Sequence, residues 1–258
     1  MTPVIPATLD ALLRSLKLPS FITDRQDTQA RAEREGWSFE RFLATLVEAE
    51  VSDRRRRRID RLMRQSGLPA DKTLATLKTE LLPTAVRRLL PTLCEGGFAD
   101  RAENLLAFGL PGRGKTHVCA AIGHELVHRG FAVLFLPAFA LVQRLLAARR
   151  AFELEKALHG LDAYDAIIID DIGYIQQDRD EMEVLFTFLA ERYERRSVII
   201  TSNLVFSAWD RIFKDPMTTA AAIDRIVHHA VILEMSGPSV RETEARARLE
   251  AVAREPGA

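Results

Sequence analysis

The chain has 258 residues, enough for one or two domains with a sizeable core. It is 47% hydrophobic, 28% charged and 7% aromatic, and its 36 Lys+Arg balance 36 Asp+Glu. Such a composition excludes a uniformly basic nucleic-acid coat and an acidic disordered chain, but not a local patch. Cys94 and Cys119 lack CxxC spacing, so they offer neither a disulfide framework nor a zinc site, and two free thiols in a reducing cytoplasm are expected. No apolar run reaches the ~18 residues of a membrane span. Residues Met1 to Asp10 have no basic stretch before an apolar one, so no secretory signal is expected there.

Up to about residue 100 the periodicity is helical. Leu9, Leu12, Leu13 and Leu16 recur at i, i+3, i+4, i+7, and a second stripe runs Phe39, Phe42, Leu43, Leu46, Val47. The stripe resumes at Ile59, Leu62 and Met63 after five consecutive arginines, and Gly67 and Pro69 end the helix. Residues 51–90 carry eleven basic and four acidic side chains, a net of +7 that the rest of the chain offsets with −7. Arg54, Arg55, Arg56, Arg57, Arg58 and Arg61 point all round a helix axis, so two or three of them suit DNA phosphates while others pair with Asp53, Asp60 or neighbours. A solvated charged helix is the competing reading. Phosphate contact of this kind would be indifferent to sequence and dependent on salt.

From Asn104 the texture changes. Strands are predicted at Asn104 to Phe108, Ala132 to Leu136, Ala166 to Asp170, Ser197 to Ser202 and Ala230 to Glu234. Amphipathic helical stretches such as Asp180 to Arg192 and Thr218 to His229 lie between them, so the expected fold is α/β with a parallel sheet. The predicted division is a helical N-terminal domain over 1–98, an α/β domain over 99–240 and a charged, loose tail over 241–258.

Gly109-Leu-Pro-Gly-Arg-Gly-Lys115-Thr116 fits the P-loop spacing G-x-x-x-x-G-K-[ST] between a predicted strand and a helix. Its glycines let backbone N–H groups converge on phosphate oxygens at a helix N-terminus. The residues expected to meet the nucleotide are Gly109, Pro111, Gly112, Arg113, Gly114, Lys115, Thr116 and His117. Lys115 supplies charge to the β and γ phosphates, and Thr116 a hydroxyl for Mg²⁺. Ala166-Ile-Ile-Ile-Asp170-Asp171 is a buried strand ending in two carboxylates, which in a parallel sheet share the P-loop crevice. Asp170 would hold Mg²⁺ and Asp171 would orient the attacking water; helix capping is the alternative. Thr201, Ser202 and Asn203 end another strand and any of them could sense the γ-phosphate, Asn203 being the first choice.

The ordered string of motifs adds a resemblance. The P-loop, Asp170-Asp171 with Gly173-Tyr174, the stretch Glu191 to Leu204, Phe206-Ser-Ala-Trp209, and Ala221-Ala-Ile-Asp224-Arg225-Ile-Val-His228-His229 resemble the IstB-type accessory ATPases of insertion sequences. These are AAA+ proteins close to the DnaC helicase loaders. The resemblance implies an AAA+ domain with five parallel strands, a small helical N-terminal domain and a reduced or missing lid. It further implies ATP and Mg²⁺ as cofactors, self-assembly on double-stranded DNA, and delivery of that DNA to a partner transposase in the cytoplasm. Arg225 matches the arginine that reaches a neighbouring subunit's γ-phosphate, against an ion pair with Asp224 or a surface position. Where most AAA+ proteins carry Asp-Glu, this chain has Asp170-Asp171, and the shorter carboxylate predicts slow hydrolysis with ATP binding intact. A helicase loader and, less aptly, a small-molecule kinase are the alternatives. His228 and His229, as neighbours on a helix, are read as packing or surface residues rather than metal ligands. Trp37 and Trp209 are read as core or interface anchors.

Overall fold

A computed structural model describes residues 6–174, 179–204, 223–236 and 239. The readings for Phe206 to Trp209, for Thr218 to Ala222, for the lid and for the 241–258 tail fall outside the described residues.

The chain divides into two compact units, Met1–Arg61 and Leu62–Ala258. The first is helical: α1 (Pro6–Ser15), α2 (Pro19–Glu35) and most of α3 (Phe39–Ser66). Both predicted stripes lie on helices, and the second runs unbroken through the arginines into one helix of 28 residues. Leu13 and Leu46 are buried within the unit. A polar clasp closes it. The backbone N–H of Ser20, at the start of α2, donates to Glu50 Oε2 at 2.9 Å, and Arg54 Nε donates to Glu50 Oε1 at 2.8 Å. A carboxylate at a helix N-terminus also meets the positive end of the helix dipole.

The second unit begins before the predicted boundary at 98. After α3 come α4 (Thr84–Glu95) and the short α5 (Gly97–Asp100). On α4, Val86, Leu90, Leu93 and Cys94 are buried at helical spacing. This face packs on α6 (Lys115–Arg129), so residues 62–98 belong with the α/β unit although their texture resembles the N-terminal helices. Burial raises the Cys94 thiol to about 11 and Cys119 further still, so both are inert neutral thiols.

The sheet comprises β1 (Asn104–Phe108), β2 (Val133–Pro137), β3 (Ala166–Asp170), β4 (Ser197–Ser202) and β5 (Ala230–Glu234) in the order β2-β3-β4-β1-β5, all parallel. Four strands match their predicted limits, and β2 is displaced by one residue. The connections include α6, α7 (Ala138–Arg150), α8 (Leu154–Leu161) and α9 (Arg179–Arg192), and residues 223–227 are helical. Side chains alternate across the strands. Leu106, Ile167, Ile169 and Ile200 pack with Leu141 and Leu145 of α7 and Leu185 and Phe188 of α9. Ile168 projects to the other face, where a Cβ on Gly123 of α6 would lie 2.7 Å from its Cδ1. Hydrophobic residues on both faces are why the strands read as continuous apolar runs. No helix among the described residues is long and apolar enough to cross a membrane.

Two buried polar side chains fasten the second unit where apolar contact alone would not fix register. Asn104 Nδ2 donates to Ile226 O at 2.9 Å, its Oδ1 accepts from Val198 N–H at 3.0 Å, and its backbone N–H donates to His229 O at 2.7 Å. Arg192 is 2% exposed and donates to the carbonyls of Leu161, Tyr164 and Ser197 at 2.9–3.0 Å. Burial lowers its pKa to about 10, still far above neutrality.

Glu50 supplies a test of the first unit. Burial pushes its carboxyl up, but the hydrogen bonds from Arg54 and Ser20 outweigh this, and the folded-state pKa lies below the usual 4.5. A lowered pKa makes Glu50 stabilising above the unfolded value, and that stabilisation is lost as pH falls through the folded one. Glu50→Ala is expected to cost about 1–3 kcal/mol at pH 7. The difference from wild type should shrink toward pH 3 when denaturation is followed by circular dichroism.

Candidate functional site

The P-loop joins β1 to α6 at the carboxyl end of the sheet. Gly112 and Gly114 take φ of 79° and 82°, a left-handed backbone that a side chain would strain. Gly109 passes so close to the Met235 backbone that a Cβ would collide with it. The curl leaves the amide N–H groups of Gly112, Arg113 and Gly114 without a hydrogen-bond acceptor among the described residues. Such a cluster at the start of a buried helix is built to receive phosphate oxygens.

Lys115 is the first residue of α6 and only 7% exposed. Its Nζ donates to Gly109 O at 2.7 Å, Leu110 O at 3.0 Å and Asn203 Oδ1 at 2.6 Å. Three oxygens therefore hold the ammonium over the loop, the place a β or γ phosphate would take it from. Thr116 Oγ1 donates to Asp170 Oδ1 at 2.8 Å. That pair of hard oxygen donors could hold Mg²⁺. His117 turns away from the loop and its Nε2 meets Thr76 Oγ1 at 3.1 Å and Thr73 O at 3.2 Å, so it anchors the 73–76 turn to α6.

The two carboxylates part company at the end of β3. Asp170 Oδ1 also accepts from Thr201 Oγ1 at 2.7 Å. Asp171 adopts φ of 62°, its N–H donates to Thr201 Oγ1 at 2.8 Å, and its Oδ1 accepts from Asn203 Nδ2 at 2.9 Å. Asn203 thus spans Lys115 and Asp171 with the two ends of one amide. Among the three polar residues ending β4, Thr201 is 1% exposed and ties the carboxylate pair together. Ser202 turns to the Leu204 backbone, and Asn203 alone reaches Lys115. Asp170 and Asp171 lie in the site together, as the strand pattern predicts. The bridging role of Thr201 carries no local sequence signal, because its partners are 30 residues away.

Beside the P-loop is a cavity of about 490 Å³, lined by Phe108, Leu110, Arg113, Ile232 and Met235 among others. Of the loop residues expected to meet nucleotide, Gly109 and Arg113 line this cavity, while Pro111 is exposed at the tip. Arg225 is not part of the P-loop cluster. Its guanidinium lies over the Phe186 ring of α9, 5.1 Å from the centroid, with no ion pair to Asp224. Its helix is held in place by Asn104. His228 and His229, expected as neighbours on a helix, lie beyond its end. The helix ends at Val227, the two histidines occupy a turn, and their rings lie 4.1 Å apart.

A P-loop, two carboxylates ending the next-but-one strand in sequence, a polar β4 terminus and the β2-β3-β4-β1-β5 order define a P-loop nucleotide-binding domain of the AAA+ type. The IstB-like ATP binding protein family matches residues 11–248, and the chain belongs to that family. It is 41% identical over 240 residues to an insertion sequence ATP-binding protein of Sinorhizobium fredii, covering 93% of this chain and 80% of that one. It is 33% identical over 238 residues to the IS21 ATP-binding protein of Pseudomonas aeruginosa, covering 92% and 90%. Among solved structures the fold is similar to the replication initiator DnaA bound to AMPPCP and single-stranded DNA. There the TM-score is 0.57 at 16% identity, over 74% of this chain and 58% of that one. It is also similar to DnaI, with TM-score 0.54 at 20% identity over 66% and 95%.

Lys115 and Asn203 offer separate tests of binding and of turnover. Lys115→Ala removes one or two charge-assisted hydrogen bonds to phosphate, worth about 1.5–3 kcal/mol each, and should weaken ATP binding by at least about tenfold. Asn203→Ala keeps Lys115 and the loop, so binding should survive while hydrolysis falls by up to about 100-fold. Fluorescent-nucleotide titration and phosphate release, measured side by side, check both.

Proposed function

We propose that this chain is an ATP-dependent accessory protein of transposition. It assembles on duplex DNA, hydrolyses ATP slowly with Mg²⁺, and delivers that DNA as target to a partner transposase. The observation that carries the reading is the chain of hydrogen bonds Lys115–Asn203–Asp171–Thr201–Asp170–Thr116 in a member of a family of insertion sequence ATP-binding proteins. In this reading Lys115, Gly112 and Gly114 bind the phosphates, Thr116 and Asp170 hold Mg²⁺, and Asp171, steadied by Asn203, aligns the water. Asp171 is one methylene shorter than the glutamate usual in AAA+ proteins, which supports slow turnover. Arg225 acts on the nucleotide of a neighbouring copy, and its place outside the P-loop cluster of its own chain agrees with that role.

The arginine run supports DNA contact, and its ion pairs narrow which residues make it. Arg54 is engaged by Glu50 and the Lys17 carbonyl, Arg56 by Asp53, and Arg57 by Glu50 and Asp53. Arg55 and Arg61 are exposed and form no ion pair among the described residues. We assign the phosphate contacts to Arg55 and Arg61, and a structural role to Arg54, Arg56 and Arg57. Replication loaders share the fold alone.

Changing Arg55 and Arg61 to Ala should weaken duplex binding for every sequence. It should also flatten the slope of log K against log salt by up to about 2 per chain, close to one for each lost phosphate contact. Fluorescence anisotropy with saturating ATP measures it; unchanged affinity and slope would remove α3 from the DNA interface. Wild-type turnover on DNA at rates typical of motor ATPases would contradict slow hydrolysis.

A further inference from the structure

We propose that Glu194, His228 and His229 form a surface site for a divalent transition-metal ion, of which Zn²⁺ is the best-matched species. One ligand atom from each of the three lies within 4.8 Å of the others, and no second cluster of this kind occurs among the described residues. His229 Nε2 and Glu194 Oε1 are already 3.6 Å apart, and the two imidazoles meet edge to face with centroids 4.1 Å apart. Donors around a tetrahedral ion at ~2.0 Å stand roughly 3.3 Å from one another, so closure needs movements of about an ångström. All three side chains are exposed, which makes such movements small rotations at the surface.

The chemistry of the donors selects the ion. Two imidazoles and one carboxylate suit Zn²⁺, and also Ni²⁺ or Cu²⁺, whereas Mg²⁺ takes oxygen donors and keeps its water. Three protein ligands leave one position open to water or to a group from another molecule. The surroundings hold the ligands. The Tyr193 hydroxyl lies 3.0 Å from His228 Nδ1, the kind of outer contact that fixes a ligand ring. The carbonyl of His229 accepts the Asn104 backbone N–H, so the turn is anchored to β1. Glu194 follows α9 with φ of 55°. A bound ion would therefore join the end of α9 to the turn that follows the helix of Arg225, linking chain segments more than 30 residues apart. The P-loop cluster is built from other residues, so this site stands independently of the ATP reading.

The test uses the untagged full-length chain, freed of metal with a chelator and titrated calorimetrically with Zn²⁺ in excess Mg²⁺. One Zn²⁺ per chain is expected, and Zn²⁺ should raise the melting temperature. His229→Ala and Glu194→Gln should each weaken binding at least tenfold, since even an outer partner is worth roughly 10- to 100-fold. The His228→Ala, His229→Ala double variant should lose both the binding and the thermal shift. X-ray absorption of the wild-type complex, which depends on no variant, should show two imidazoles on zinc. Absence of stoichiometric binding to the wild type, a spectrum without imidazole, or a folded double variant that binds as tightly as wild type would each overturn the proposal.

Discussion

The site depends on one carboxylate oxygen. Asp170 Oδ1 accepts hydroxyl hydrogen bonds from both Thr116 and Thr201, and so fixes the first turn of α6 and the end of β4 against the end of β3. This convergence follows from register. β4 pairs with β3 on one side and with β1 on the other, and β1 leads directly into the P-loop. A slip of one residue in β3 would turn the Asp170 side chain to the opposite face of the sheet and leave the Thr116 and Thr201 hydroxyls unanswered. The apolar runs on both faces, with the Asn104 side chain tying β1 to β4 and to Ile226, hold that register.

From this point the arrangement extends to Lys115. Thr201 also receives the Asp171 N–H, Asp171 receives Asn203, and Asn203 receives the ammonium. A phosphate that draws Lys115 toward itself releases one end of the Asn203 amide, and Asn203 holds the carboxylate assigned to the water. In the proposed function, occupancy of the phosphate site would thereby be coupled through Asn203 to the group proposed for hydrolysis.

Much of this was legible in the residues. The P-loop announces itself by spacing, and four strands keep their predicted limits because they are short, apolar and bounded by polar residues. The carboxylates at 170 and 171 could be placed in the crevice because parallel strands present their carboxyl ends together. Other features depend on partners distant in sequence and left no local trace. Nothing near Thr201 marks it as the hydroxyl that joins two aspartates, and nothing near Asn104 marks it as the anchor of the 226–229 segment. The two compact units divide at Arg61 rather than near residue 98 for a related reason: α4 has the same helical texture as α1 to α3, and only its packing on α6 places it with the α/β unit. His228 and His229 approach one another because the helix stops two residues short of its predicted end and the pair occupies a turn.

The zero net charge of the chain acquires a structural meaning. Within α3 the basic run is partly neutralised by Glu50 and Asp53, which also close the helical unit, while Arg55 and Arg61 form no ion pair among the described residues. In the proposed function, nucleotide held by Lys115 governs assembly on DNA. Electron microscopy of the full chain with duplex DNA and a non-hydrolysable ATP analogue tests it most directly. The account predicts ordered oligomers on DNA that disappear without nucleotide and in Lys115→Ala; monomers indifferent to DNA, or the same assemblies without nucleotide, would contradict it.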